Sequence, residues 1–245
     1  MTNTKKLGLI GFPLSHSFSK GYFENKFQNE GLIDYSYENF AIENIGMVKE
    51  LLAEQNLLGL NITIPYKQSV IPFLDQLDET ASEIGAVNTI KIKDGIKKGY
   101  NTDCYGFEMS FKPQLRTYHR QALILGTGGA SKAIVYALKK LNIPYHYVSR
   151  QAREGIYAYT DITPQIIANY QIIINTTPLG MYPHADTCPP LPYEALTEKH
   201  YLFDLVYNPA LTAFLKKGQE QGCTIKNGLD MLHFQAEKAW EIWNQ

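Results

Sequence analysis

Two groups of residues in this chain have the types and spacing for chemistry. The first is Gly126-Thr127-Gly128-Gly129-Ala130-Ser131, entered from the apolar run 122–125 and left through Ala133, Ile134, Ala137 and Leu138. The run has the length and composition of a buried parallel strand, and the apolar residues after it recur at helical spacing. A glycine turn between a strand and a helix gathers unpaired N–H groups and the positive end of the helix dipole at one point, which suits a phosphate. Gly126 and Gly128 take the first two positions of a G-x-G-x-x-G pattern, and the small residue Ser131 stands at the third. The pattern reads as a dinucleotide site.

A second strand is expected over 145–148, ending in Ser149-Arg150. A site for NAD needs a carboxylate about 20 residues after the glycines, for the ribose 2′-hydroxyl. None occurs before Glu154; Arg150 and Arg153 stand there instead, with planar donors suited to a 2′-phosphate. NADP is therefore the expected cofactor.

The second group lies earlier and is polar. Asn61, Thr63 and Lys67 sit in Leu58-Gly59-Leu60-Asn61-Ile62-Thr63-Ile64-Pro65-Tyr66-Lys67, whose alternation predicts a strand over 58–64 with one polar face. Pro65 fits the first turn of a helix, which would put Lys67 at a strand-to-helix corner. Ser15, Ser17 and Ser19 stand between a first strand, 6–11, and a helix expected over 21–30. Serines at such a junction serve either as helix caps or as hydroxyls turned into a cleft; position alone favours the caps. Asn88 and Thr89 interrupt an apolar strand expected over 84–92, and Asp103 is placed like the cap of a helix over 104–111.

These residues need a scaffold of alternating strands and helices. Further strands are expected at 35–40, 96–99, 172–175, 201–207 and 224–227, and helices at 45–55, 213–222 and 231–243. The pattern is α/β, with one unit before the glycine turn and a Rossmann-like unit containing it. The chain of 245 residues is long enough for two modest domains. Hydrophobic residues at 44% and charged residues at 19% are ordinary for a water-soluble globular protein. A net charge of -1 gives no electrostatic case for nucleic acid or a membrane surface as partner. Cys104, Cys188 and Cys223 are odd in number and far apart, which suits neither a metal site nor a disulfide framework. With no signal-type or membrane-spanning apolar run, a cytoplasmic protein is expected.

Taken in order, these stretches resemble the shikimate dehydrogenase family over nearly the whole chain. The resemblance is carried by His16-Ser17-Phe18-Ser19, by Asn61 to Lys67, by Gly85-Ala86-Val87-Asn88-Thr89 and by Asn101-Thr102-Asp103. It continues through Asn175-Thr176-Thr177-Pro178-Leu179-Gly180-Met181, Asp204-Leu205-Val206-Tyr207 and Gly228-Leu229-Asp230-Met231-Leu232-His233-Phe234-Gln235. It implies that Ser17, Ser19, Asn61, Thr63, Asn88, Asp103, Tyr207 and Gln235 hold the carboxylate and hydroxyls of shikimate or 3-dehydroshikimate. Lys67 and Asp103 would be the catalytic pair. Gly126, Thr127, Gly128, Gly129, Ala130, Ser149 and Arg150 would hold NADP, with Thr176, Thr177, Pro178, Met181 and Gly228 on its nicotinamide side. The implied reaction is the NADPH-dependent reduction of 3-dehydroshikimate to shikimate, in chorismate and aromatic amino acid biosynthesis, by a monomer or homodimer.

The resemblance also implies a discontinuous substrate domain, 1–103 plus 228–245, around a cofactor domain, 104–227. The chain departs from the family pattern at Lys20, where a proline is usual, at Cys104-Tyr105, commonly smaller, and at Ser149-Arg150-Gln151, where N-R-T is usual. The stretch 151–170 is too short for a full helix between the strands at 145–148 and 172–175, which predicts an open wall beside the adenosine. Two other readings compete: dual use of quinate and shikimate, and a metabolite sensor without catalysis. Retention of both Lys67 and Asp103 weighs against the sensor.

Overall fold

A computed structural model describes residues 4–14 and 17–245 and divides them into two compact units. One comprises the chain up to Thr102 together with Ala236–Gln245; the other is Asp103–Gln235. Ser15 and His16 of the serine turn lie outside the described residues.

The first unit is built on a mixed six-stranded sheet. Its strands are β1 (Lys5–Gly11), β2 (Tyr35–Ala41), β3 (Leu57–Ile62), β4 (Gln76–Leu77), β5 (Thr89–Lys93) and β6 (Ile96–Tyr100). They lie in the order β2-β1-β3-β5-β6-β4. β1 runs parallel to β2 and β3, and β5 runs antiparallel to β3 and β6. Asp94 (φ 53°) and Gly95 (φ 77°) form the tight turn between β5 and β6, the left-handed pair that a two-residue hairpin needs. The helices are α1 (Phe18–Asn29), the short α2 (Val48–Leu51) and α3 (Glu79–Ile84).

Several expectations are corrected here. β3 is buried on both faces and ends at Ile62, with no α-helix after Pro65; turns carry the chain to a 3₁₀ turn at Ile71–Phe73. The strand expected from residue 84 begins at Thr89, because Asp78 caps α3 and Gly85, at φ 66°, ends it. The helix expected over 45–55 shrinks to a 3₁₀ turn and α2.

The second unit is a parallel six-stranded sheet of β7 (Ala122–Leu125), β8 (Tyr145–Ser149), β9 (Ile156–Ala158), β10 (Ile172–Asn175), β11 (Tyr201–Asp204) and β12 (Thr224–Lys226). Its order, β12-β11-β10-β7-β8-β9, is that of a doubly wound nucleotide-binding sheet, with the switch point between β7 and β10. Its helices are α4 (Asp103–Phe111), α5 (Gly129–Lys140), α6 (Pro164–Asn169) and α7 (Ala213–Glu220). The strand at 172–175 is thus fourth in the sheet, because β9 precedes it. A turn without a helix joins β8 to β9; Arg153 and Ile156 exchange backbone hydrogen bonds across it, and Gly155 takes φ 71°. The strand at 201–207 stops at Asp204, and α4 includes Asp103 as its first residue.

The last helix, α8 (Leu229–Asn244), contributes to both units. Met231 packs into the core formed with Phe107, Phe111 and Phe203, while Ala236, Ala239 and Trp243 pack with Leu7, Phe23 and Tyr37. Trp243 donates its indole N–H to the Ile90 carbonyl at 2.9 Å. Gly59 makes room for that approach: a Cβ there would fall inside van der Waals contact of both the indole nitrogen and the Ile90 oxygen.

Candidate active site

In the first unit, the expected site residues come from the carboxyl ends of β1 and β3 and from the segments beside β5. Ser17 caps α1, accepting from the Lys20 N–H at 3.2 Å, and Ser19 stands half-buried in the first turn of that helix. The cap reading of Ser17 is correct, and it leaves the hydroxyl at a helix N-terminus.

Asn61 ends β3 and is buried. Its Oδ1 accepts from the Tyr37 hydroxyl at 2.7 Å, and its Nδ2 donates to the Asn88 carbonyl at 3.3 Å and to Thr89 Oγ1 at 3.2 Å. Asn88 is a second hub. Its Nδ2 donates to Thr102 Oγ1 at 2.9 Å, and its Oδ1 accepts from the Thr102 N–H at 2.7 Å. Asn101 donates to the Ala86 carbonyl at 2.9 Å. Each of these buried groups would cost about 1–3 kcal/mol if left unpaired, so the network fixes its members in place. Thr63 is half-buried and donates its N–H to Ile10, tying it to the end of β1. Lys67 is half-buried, and its carbonyl accepts from the Val87 N–H at 2.7 Å, which joins the lysine's backbone to the segment that carries Asn88.

In the second unit, Asp103 opens α4, one turn before Gly106. A Cβ on Gly106 would sit 2.5 Å from the Met231 carbonyl and 3.0 Å from the Gln235 Cβ, so α4 and α8 touch backbone to backbone there. Helical spacing places Asp103 on the face of α4 that meets Gln235. Gln235 is buried and donates Nε2 to the Leu232 carbonyl at 3.0 Å. Tyr207 follows the segment 205–206, against which Gly228 is packed so closely that a Cβ would collide with the Leu205 carbonyl. Burial raises the pKa of Tyr207, keeping a neutral hydroxyl at ordinary pH.

The glycine turn has the geometry of a phosphate cradle. Gly126 takes φ 99°, a conformation strained for any residue with a side chain. Gly128 caps α5 without a side-chain bond, and a Cβ on it would meet no atom within 4 Å. Thr127, Gly128 and Gly129 are exposed, and Ala130 is half-buried. The first N–H groups of α5 therefore have no side-chain cap and follow an exposed turn. Ser131, in place of the third glycine, donates its hydroxyl to the Gly128 carbonyl at 2.7 Å and closes the turn from inside. Arg150 is exposed just past β8, next to half-buried Ser149.

The loop 176–181 lies beside this cradle. Thr176 donates Oγ1 to the Leu125 carbonyl at 2.7 Å, and the Thr177 methyl would be 2.8 Å from a Cβ on Gly126. Pro178 and Met181 are exposed at its tip. The loop is held from below by residues to which the sequence assigned no role. Asn175 Oδ1 accepts from the Thr177 N–H and Oγ1 at 3.0 and 2.7 Å, and its Nδ2 donates to Asp204 at 2.9 Å. Asp204 also accepts from the Val206 N–H at 3.0 Å and from the Thr212 hydroxyl at 2.6 Å. Burial raises its pKa to about 6, against the pull of those three donors. A polar residue closing the apolar run 172–174 was the available signal for Asn175.

No group of His, Cys, Asp and Glu among the described residues has the geometry of a metal site, and no described helix is long and apolar enough to cross a membrane. The profile of the shikimate dehydrogenase substrate binding domain matches residues 9–90. A shikimate dehydrogenase (NADP(+)) of Methanosphaera stadtmanae is 39% identical, over 96% of this chain and 90% of its own. A crystal structure of shikimate dehydrogenase in complex with NADP+ superposes with a TM-score of 0.87 at 34% identity, covering 98% of this chain and 90% of that one. A quinate dehydrogenase from Corynebacterium glutamicum in complex with NAD gives a TM-score of 0.87 at 27% identity, covering 98% and 93%. The extent and identity of these matches show that the chain belongs to the shikimate dehydrogenase family.

Proposed function

We propose that the chain catalyses the reversible reduction of 3-dehydroshikimate to shikimate with NADPH. The observation that carries this reading is the buried network around Asn61 and Asn88, in a chain that also carries Lys67, Asp103 and a complete phosphate cradle. The first unit supplies most of the substrate site and the second holds the cofactor. The substrate is a small carboxylate bearing several hydroxyls, and a site rich in Ser, Asn, Thr, Tyr and Gln groups suits it chemically. An analogue lacking a hydroxyl would leave a buried polar group unpaired, which is how such a site discriminates.

NADPH, held in that cradle, would supply the hydride for the carbonyl carbon. Lys67 hydrogen-bonds the carbonyl oxygen and gives it the proton as negative charge develops, a contribution of about 10²–10⁴-fold. Asp103 orients the lysine ammonium and holds a substrate hydroxyl. Ser17 and Ser19, at the N-terminal turn of α1, receive the carboxylate, which the helix dipole also favours. Asn61, Thr63, Asn88, Tyr207 and Gln235 take the remaining hydroxyls. Gly126 to Ala130 would hold the pyrophosphate, Arg150 beside Ser149 the 2′-phosphate, and Thr176, Thr177, Pro178, Met181 and Gly228 would serve the nicotinamide side. The same reading makes the protein a cytoplasmic monomer or homodimer of chorismate biosynthesis.

The quinate dehydrogenase likeness keeps dual specificity as a second reading. Initial rates for shikimate or quinate, each with NADP or NAD, separate the two. Turnover confined to shikimate with NADP is the expected result. Comparable efficiency with quinate establishes the second reading, and no turnover in any combination overturns both.

A further inference from the structure

Asn61 is assigned to the substrate above, and its amide could in principle face either way. Rotation about its terminal bond exchanges Oδ1 and Nδ2 with almost no change of shape, so only hydrogen bonds choose between the two orientations. Nδ2 is directed at the Asn88 carbonyl and Thr89 Oγ1, both on the β5 side. On the other side, Oδ1 has one donor, the Tyr37 hydroxyl at 2.7 Å.

Tyr37 reaches Asn61 from two strands away. In the sheet Tyr37 pairs with Leu7, and Leu7 with Gly59, so Asn61 lies two residues further along β3 on the same face. The tyrosine ring is held without help from its hydroxyl. It is 3% exposed, stacks on Phe23 with centroids 4.8 Å apart at 15°, and leans on Trp243 at 6.5 Å. Burial raises the pKa of that hydroxyl, so it keeps the proton it donates.

We propose that Tyr37 is a positioning residue of the substrate site, its hydroxyl pairing with Asn61 Oδ1 so that substrate meets an acceptor fixed in place. Without that hydroxyl, Oδ1 loses its donor, although the Asn88 carbonyl, which can only accept, still keeps Nδ2 on the β5 side. The inference rests on the assignment of Asn61 to the substrate.

The test is a double-mutant cycle in the full-length protein, followed by steady-state kinetics with shikimate and NADP. Tyr37→Phe keeps the ring and its stack. It should raise the KM for shikimate about tenfold, shift kcat by less, and leave the KM for NADP unchanged. In an Asn61→Ala background the same substitution should move the shikimate KM less than about threefold. Asn61→Ser replaces the alanine variant if circular dichroism shows that variant to be unfolded. A full tenfold effect in both backgrounds overturns the proposal, because Tyr37 then acts independently of Asn61. An unchanged shikimate KM in Tyr37→Phe alone overturns it as well. An unchanged KM on replacing Asn61 alone overturns the assignment of Asn61 and the role of Tyr37 with it. Absence of shikimate turnover in the parent chain is a separate result, and defeats the proposed function itself.

Discussion

Asp204 accepts the Asn175 amide at 2.9 Å, and the same amide's oxygen accepts twice from Thr177, so a fully buried carboxylate sets the loop that borders the cofactor cradle. Burial holds this carboxyl at about 6, above the ordinary 3.8. The folded chain therefore takes up this proton at a higher pH than the unfolded chain. By linkage, the group's contribution to stability falls as pH rises from about 4 to about 6 and is flat above that. Asp204→Asn is nearly isosteric. Its oxygen can still accept from Asn175 and Val206, and its amide can donate to Thr212 Oγ1. Urea denaturation should show the variant gaining on the parent across that window, by a total on the order of 3 kcal/mol. A difference independent of pH would refute the raised pKa.

Lys67→Ala should lower kcat by about 10²–10⁴-fold while shikimate affinity, measured by calorimetry, stays within a few-fold. An interaction made mainly in the transition state lowers kcat and kcat/KM together. If Lys67 only anchored a hydroxyl while water delivered the proton, KM would rise and kcat at saturating shikimate would be nearly normal.

Arg150→Ala should raise the KM for NADP about tenfold or more and leave NAD kinetics little changed, since a charge-assisted contact is worth about 1.5–3 kcal/mol. An unchanged ratio of the two efficiencies removes Arg150 from the 2′-phosphate.

Gly59→Ala should destabilise the protein by about 1–3 kcal/mol, because its methyl must push Trp243 from the Ile90 carbonyl. Tryptophan emission should shift to longer wavelength at the same time. Normal stability with unshifted emission would mean that α8 can move without cost.

Much of the site was legible because its residues sit where local sequence rules are strong. The run 122–125 and the glycines after it read as strand and cradle, since a buried parallel strand is a continuous apolar stretch. Other elements depended on distant partners. β9 is three residues long and exists by pairing with β8. Pro65 satisfies a rule for helix starts, yet the chain turns again within a few residues and reaches Pro72. The strand expected over 84–92 followed hydrophobicity through Gly85, where the backbone is left-handed. Tyr37 with Asn61 and Asn175 with Asp204 are pairs separated by 24 and 29 positions. No periodicity reports such a bond; only the sheet register brings the partners together.

The packing of Ala236, Ala239 and Trp243 into the first unit bears on synthesis. The ribosome makes that unit's segment up to Thr102 first, yet further pieces of its core emerge only after the whole of Asp103–Gln235 has been made. Asp103–Gln235 is one unbroken stretch. The order of completion is thus the reverse of the order of appearance: the inserted unit can close while the segment preceding it still waits on the ribosome. Both tryptophans of the chain lie in that late segment, so their burial is an optical mark of the final step.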